Sequence, residues 1–237
     1  MPENKISILS TRPLNEASIQ QAKSNNVFID VVSFIQINFI QSEELMQQIQ
    51  SLANENITAV FTSVNAVDAV TAIVSPTTAW KIYCMGNTTK KAIKEYFGYG
   101  RIAATASNAN ELAQKIIDAK QKHVVFFCGT KRLDLLPEKL LQHEIDVTEI
   151  AVYETIETPQ IIEQQYDGIL FFSPSGVESF FSNNIISKKT ILFAIGNTTA
   201  EAIKKYSQNK IIISDKPGKE MLIAKTAAYF QTNQIHP

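Results

Sequence analysis

An eleven-residue segment that occurs twice constrains this chain more than any other feature. Gly86–Tyr96 reads GNTTKKAIKEY and Gly196–Tyr206 reads GNTTAEAIKKY, with eight of eleven positions identical at an offset of 110. The same offset carries Phe61, Ser63 and Val67 onto Phe171, Ser173 and Val177, and in each copy the serine precedes the glycine by 23 residues. Self-similarity at a fixed spacing means that one structural unit has been used twice.

The pattern around the repeat sets the class of unit. Short β-rich runs, from Ile6–Leu9 and Val27–Val32 to Ile191–Ala194 and Ile211–Ile213, alternate with amphipathic stretches such as Glu43–Ala53, Thr88–Tyr96, Asn110–Ala119, Thr198–Tyr206 and Lys219–Phe230. The β-rich runs are continuously apolar, as strands covered on both faces must be, and their alternation with helices implies parallel sheets. The predicted class is therefore α/β, doubly wound: two related lobes, each a parallel sheet flanked by helices. A division near residue 118 would give sequential halves, but no Gly/Pro/Ser-rich linker lies there. The long extended stretches are instead Val31–Ile40 and Val147–Thr158, which suit a chain that leaves one lobe, builds the other and returns.

Composition removes several functions. A net charge of −1 and a pI near 6.3 give no electrostatic footprint for nucleic acid or an anionic membrane. The opening MPENKISILS has neither the basic start nor the apolar core of a signal peptide, and no apolar run approaches the roughly 18 residues of a membrane helix. Cys84 and Cys128 end apolar runs and read as small buried hydrophobes, so the expectation is a cytoplasmic protein. His123, His143 and His236 share no metal-ligand spacing and are expected to be non-catalytic; neither a metal nor a cofactor is expected. The chain has no P-loop, no GxGxxG and no GxSxG, and its eight glycines leave little for a phosphate-wrapping loop.

Chemistry concentrates where strands hand over to helices. These turns are Thr62-Ser63-Val64-Asn65 and Gly86-Asn87-Thr88-Thr89 in one copy, Ser173-Pro174-Ser175-Gly176 and Gly196-Asn197-Thr198-Thr199 in the other. The plainer reading of Ser, Thr and Asn at such turns is helix capping. The functional reading uses the same geometry: a helix start offers free N–H groups and a partial positive charge of about +0.5, an anion site without a lysine. Open parallel sheets bind ligands at the carboxyl ends of their strands. Arg12 follows the first strand, and Lys131 and Arg132 follow another after Gly129. Arginine suits bidentate carboxylate recognition, though each of these cations also reads as solvated surface. Tyr153, at the edge of an extended stretch, reads either as interfacial packing or as a hydroxyl with a task.

Taken together these motifs resemble the uroporphyrinogen-III synthase family. The resemblance rests on Thr11-Arg12-Pro13, Phe61-Thr62-Ser63 with Asn65-Ala66-Val67, Gly86 with Thr89, and Gly129 with Arg132 and Leu136-Pro137. It continues through Val152-Tyr153 with Thr155, Ser173-Pro174-Ser175-Gly176-Val177 and Ile195-Gly196-Asn197-Thr198-Thr199-Ala200, so that it spans nearly the whole chain in order. One departure is Gly-Asn-Thr-Thr where Gly-Pro-Thr-Thr is common in the family. The resemblance implies lobes of residues 1–34 plus 158–237 and 38–149, joined by a two-stranded ladder from 35–37 and 150–157, with substrate in the cleft between them.

The implied reaction closes the linear tetrapyrrole hydroxymethylbilane into uroporphyrinogen III, with loss of water and inversion of ring D, in haem biosynthesis. The resemblance implies Tyr153 as the acid and a substrate-binding set of Arg12, Thr62, Ser63, Asn65, Gly86, Thr89, Thr105, Gly129, Arg132, Ser173, Ser175, Gly176, Gly196, Thr198 and Thr199. It further implies no cofactor and no metal, a monomer, a polycarboxylate tetrapyrrole as partner, and a transient contact with hydroxymethylbilane synthase. Two other readings use the same body: a binding module that holds a small anion without turnover, and a nucleotide-sugar or cofactor enzyme. The missing signal peptide weighs against an exported binding protein, and the missing ribose-binding acidic fingerprint against the enzyme.

Overall fold

The computed structural model describes residues 5–216 and 218–233. In chain order the elements begin with β1 (Ile6–Ser10), α1 (Glu16–Lys23), β2 (Val27–Val31), β3 (Ile35–Phe39), α2 (Glu43–Ala53), β4 (Thr58–Phe61) and α3 (Val64–Thr71). They continue with β5 (Lys81–Met85), α4 (Asn87–Phe97), a 3-10 turn at Tyr99–Arg101, β6 (Ile102–Ala106), α5 (Ala109–Asp118), β7 (His123–Gly129), α6 (Leu135–Leu141) and β8 (Asp146–Glu157). The last are β9 (Gly168–Phe171), α7 (Pro174–Phe181), β10 (Ile191–Ala194), α8 (Asn197–Lys204), β11 (Ile211–Ile213) and α9 (Lys219–Asn233). The class is α/β, as the alternation predicts.

The chain divides into two units, Met1–Gln36 with Ile156–Pro237, and Ile37–Thr155. It passes from one to the other within β3 and returns within β8. The first unit holds a five-stranded sheet in the order β11-β10-β9-β1-β2, every pairing parallel. The second is built on a sheet in the order β3-β8-β7-β4-β5-β6, in which β8 through β6 run parallel.

The repeat is visible in the strand register. In the second unit Thr58 pairs with Lys81 and Phe61 with Cys84; in the first, Gly168 pairs with Ile191 and Phe171 with Ala194. Adding 110 to each number of the first set gives the second. Side chains alternate faces along a strand, and both units use both faces. On β4, Ala59 and Phe61 join one core layer and Val60 the opposite one; on β9, Ile169 and Phe171 do so against Leu170. Aromatic rings fill corresponding layers. Phe127 stacks on Phe61 at 5.2 Å and on Trp80 at 5.3 Å, while Phe180 meets Phe34 and Phe171 edge-on at 5.1 and 5.4 Å. The Trp80 indole N–H, buried with its ring, donates to the Leu52 carbonyl at 2.9 Å.

Local signals set the helix starts. Ser42 accepts from the Leu45 amide at the head of α2, whose first turn carries Glu43 and Glu44 against the helix dipole, and Asn108 caps α5 through the Glu111 amide. One difference between the units is a buried polar atom without a partner. The Ser179 hydroxyl on α7 is buried with no hydrogen-bond partner among the described residues, whereas the position 110 residues earlier is the buried Ala69. An unsatisfied buried hydroxyl costs about 1–3 kcal/mol. Ser179→Ala is therefore expected to raise stability by about 1 kcal/mol, read from the midpoint of urea unfolding at unchanged slope.

Candidate active site at the strand ends

Because the strands that carry these turns run parallel within their sheet, their carboxyl ends fall on one edge, and the turns singled out by the sequence are gathered there. In the first unit, Arg12 follows β1, Ser173 follows β9 and Gly196 follows β10, three adjacent strands. In the second, Gly129–Arg132 ends β7, Thr62 and Ser63 follow β4, and Gly86 follows β5, again adjacent. Thr105 lies within β6 opposite Cys84, and its carbonyl accepts from the Lys115 ammonium at 2.6 Å.

The four helix starts fall into two kinds. Ser63 accepts from the Asn65 amide and Ser173 from the Gly176 amide, each at 3.2 Å, so both serines are caps of α3 and α7. The glycines that open α4 and α8 supply no side-chain cap bond. Gly86 has φ +84°, a left-handed backbone that favours glycine, and nothing lies within 4 Å of where its Cβ would be. Gly196 is extended, so any residue could adopt its backbone, and it too faces open space. Asn65 and Ser175 are half-buried and Thr198 is exposed. Thr89 and Thr199, in contrast, are only 3% and 1% exposed, packed into their own units.

In the first unit the turn carrying Arg12 is tied down from below. Buried Thr11 donates through both its amide and its hydroxyl to the Leu170 carbonyl, at 3.1 and 2.7 Å, and the Ser10 hydroxyl donates to the Arg12 carbonyl at 2.7 Å. A Cβ on Gly176 would sit 3.9 Å from the Thr11 hydroxyl, which places the α7 start against this turn. A second cation arrives here that the sequence reading left out of the site. The Lys219 ammonium, at the head of α9, donates to the Pro13 carbonyl at 2.8 Å, and its pKa is lowered by burial and then by the charge of Arg12. Its position after β11 follows the same strand-end logic as the other turns and was the available signal. A pocket in this unit lined by Ile162, Tyr166, Phe180 and Thr190 opens at the opposite, amino end of β9 and β10.

In the second unit Arg132 is engaged by two carboxylates, Glu149 and Asp134, with its side chain 29% exposed. Glu149 above all holds the guanidinium protonated. A ligand carboxylate would have to share or displace these partners. Tyr153 is 8% exposed and belongs to the core layer beneath β4 and β7. Its ring lies directly over Gly129: a Cβ there would come within 2.6 Å of Cζ and 2.9 Å of the hydroxyl oxygen. Among the described residues nothing bonds to that hydroxyl. The sequence named both residues but had no means of bringing them together.

The histidines stand apart from these edges. His123 opens β7 and shares a 2.8 Å hydrogen bond with the Thr148 hydroxyl, and His143 contacts the Lys139 carbonyl at 2.9 Å; His236 lies outside the described residues. No helix is long and apolar enough to cross a membrane among the described residues.

Comparison with known proteins gives this geometry its context. The family described as uroporphyrinogen-III synthase HemD matches residues 19–224. The chain belongs to the uroporphyrinogen-III synthase family. Its function is that of the family: a hydro-lyase that cyclises hydroxymethylbilane to uroporphyrinogen III in haem and tetrapyrrole biosynthesis. Among solved structures, a mutant uroporphyrinogen III synthase from Thermus thermophilus is similar with a TM-score of 0.67 at 15% identity, covering 98% of this chain and 100% of that one. The synthase from Helicobacter pylori matches with a TM-score of 0.63 at 16% identity, over 94% of this chain and 99% of that one. At such identities the likeness is one of fold.

Burial pushes the Cys84 and Cys128 thiols up to about 11, with Glu149 adding to the effect at Cys128. At pH 8 the thiolate that reacts is therefore scarce as well as covered. Ellman's reagent is expected to label neither cysteine in the native protein at pH 8 and both in denaturant. Arg12→Gln is expected to bring the Lys219 pKa partway back up, as followed by NMR of the lysine side chains.

Proposed function

We propose that the strand-end edges hold the carboxylate arms of the bilane while Tyr153 delivers the proton that releases its hydroxyl. The observation that carries this reading is the Tyr153 hydroxyl, seated at the carboxyl end of β7 and without a hydrogen-bond partner among the described residues. The substrate carries acetate and propionate arms, so its recognition is a problem of binding several anions. The uncapped starts of α4 and α8 supply amides and the positive end of the helix dipole. Arg12 and Lys219 supply full charges at the first unit's edge. Two cations that repel one another gain most from an anion placed between them.

Chemically, the pyrrole nitrogen pushes electrons toward the hydroxymethyl carbon as its C–O bond breaks. The tyrosine O–H gives its proton to the departing hydroxyl, which leaves as water. The resulting azafulvenium is attacked by the substituted carbon of ring D. In the spiro intermediate so formed the original bond from that carbon to the ring C bridge breaks, the bridge carbon bonds to the free α-carbon of ring D, and the proton displaced there returns to the tyrosinate. Unassisted, the same bilane closes head to tail to the type I isomer, so the protein must also hold the chain in the conformation that inverts ring D. This reading takes in Thr62, Ser63, Asn65, Ser173, Ser175 and Thr198 as polar contacts beside the amides. A cytoplasmic location, a monomeric state and a transient contact with hydroxymethylbilane synthase belong to the same proposal.

The test is an isomer assay with hydroxymethylbilane generated in situ and type I and type III porphyrins separated after oxidation. Type III is expected to dominate with the native protein. Tyr153→Phe is expected to lower kcat by roughly 10²–10⁴-fold, the usual range for a lost general acid, with KM and melting temperature little changed; near-native turnover would remove Tyr153 from the role. Ser175→Ala and Thr198→Ala are expected to raise KM more than they lower kcat. A change in thermal stability alone would return these two to structural duty.

A further inference from the structure

We infer that Gly129 is a positioning residue whose missing side chain forms the seat of the Tyr153 phenol. The inference rests on the reading of Tyr153 as proton donor and adds to it a residue that would otherwise be taken for a turn former or a ligand contact.

Three observations carry it. First, β7 and β8 pair residue for residue from His123 opposite Asp146 to Cys128 opposite Ala151, and then the register slips so that Gly129 faces Tyr153. Without the slip Gly129 would face Val152. An extra residue on one strand of a pair bends that strand and re-aims the side chain that follows. The slipped arrangement is held by a backbone bond from the Thr130 amide to the Tyr153 carbonyl at 3.0 Å.

Second, the atoms that a Cβ on Gly129 would meet are Cζ at 2.6 Å, Cε2 at 2.7 Å and the hydroxyl oxygen at 2.9 Å. These all belong to the hydroxyl end of the ring, the end that carries the transferable proton. A methyl at position 129 would therefore push the phenol before it disturbed anything else.

Third, Gly129 does not have the positive φ that marks Gly86, Gly98 and Gly218. Its backbone is open to alanine, and Gly→Ala at a compatible backbone ordinarily stabilises by restricting the unfolded chain. Backbone conformation thus gives no reason for glycine here, while the ring gives a direct one. The clash is with the far end of a side chain and not with backbone, so the expected consequence is a displaced hydroxyl on an intact β7–β8 ladder.

The experiment compares Gly129→Ala in two backgrounds. With Tyr153 present, Gly129→Ala is expected to lower kcat by about 10²-fold, the effect of misplacing a catalytic group by about 1 Å, with little change in KM. In a Tyr153→Phe background, where no proton donor remains to be misplaced, the same change is expected to cost less than about three-fold, because the effects of residues that act as a unit do not add. Equal losses in both backgrounds would overturn the positioning role and leave Gly129 as ordinary packing. A second readout is independent of activity: with tyrosine labelled by 13C at Cζ, the resonance absent from Tyr153→Phe is expected to move in Gly129→Ala. An unmoved resonance would overturn the seat itself. A moved resonance with undiminished turnover would keep the seat and reject Tyr153 as the acid. Should Gly129→Ala melt too low for kinetics, the loss of stability in Gly129→Ala/Tyr153→Ala is expected to fall short of the sum of the two single losses; additive losses would show that the ring was not what the methyl met.

Discussion

The pairing of two central strands in each unit, β4 with β5 and β9 with β10, sets the terms for the rest of the structure. The strands run parallel and are apolar on both faces, so they cannot be joined by a tight turn and cannot leave either face to water. Both requirements are met by the helices that connect them. Because every such connection runs the same way, all strand-to-helix turns of a sheet collect on one edge. Polar turn chemistry, scattered along the sequence in pieces of four residues, becomes a continuous rim only through this constraint.

Duplication conserved the frame and let the details drift. The strand register repeats without error at an offset of 110, and the serine caps of α3 and α7 repeat with it. The glycines that open α4 and α8 have diverged: one is held in a left-handed conformation and the other is extended. Gly168 takes the place of Thr58 because Ile8 and Phe193 leave no room there, a Cβ standing 2.9 Å from each. Such differences mark where each unit meets its own neighbours: β1 flanks β9, whereas β7 flanks β4.

The rims differ in electrostatics as well. At the first unit's edge Arg12 and Lys219 bring two positive charges near each other, and burial works against the charge on Lys219. At the second unit's edge Arg132 already holds Glu149 and Asp134, and the distinguishing element is an aromatic ring set on a glycine. On the proposed function, charge recognition and proton delivery fall to different sheets by different means, one by cations near helix starts and the other by a strand irregularity.

Periodicity, helix caps and the repeat are local properties, and the amino-acid sequence by itself determined what depends on them: the α/β class, the strands and helices, the existence of two related units and the turns that carry polar groups. The extended stretches Val31–Ile40 and Val147–Thr158 likewise showed where the chain would remain strand-like, and the ordered motifs pointed to the family. Only the tertiary structure decided which strands are neighbours, that Thr89 and Thr199 are packed inward, that Lys219 comes to Arg12 from 207 residues away, and that Tyr153 lies on Gly129. These depend on contacts between segments distant in the chain, and on a one-residue slip between β7 and β8. A slip of that kind is set by how two strands pair and not by the periodicity of either, since β7 reads as an apolar run and β8 as a mixed polar and apolar one through the slip.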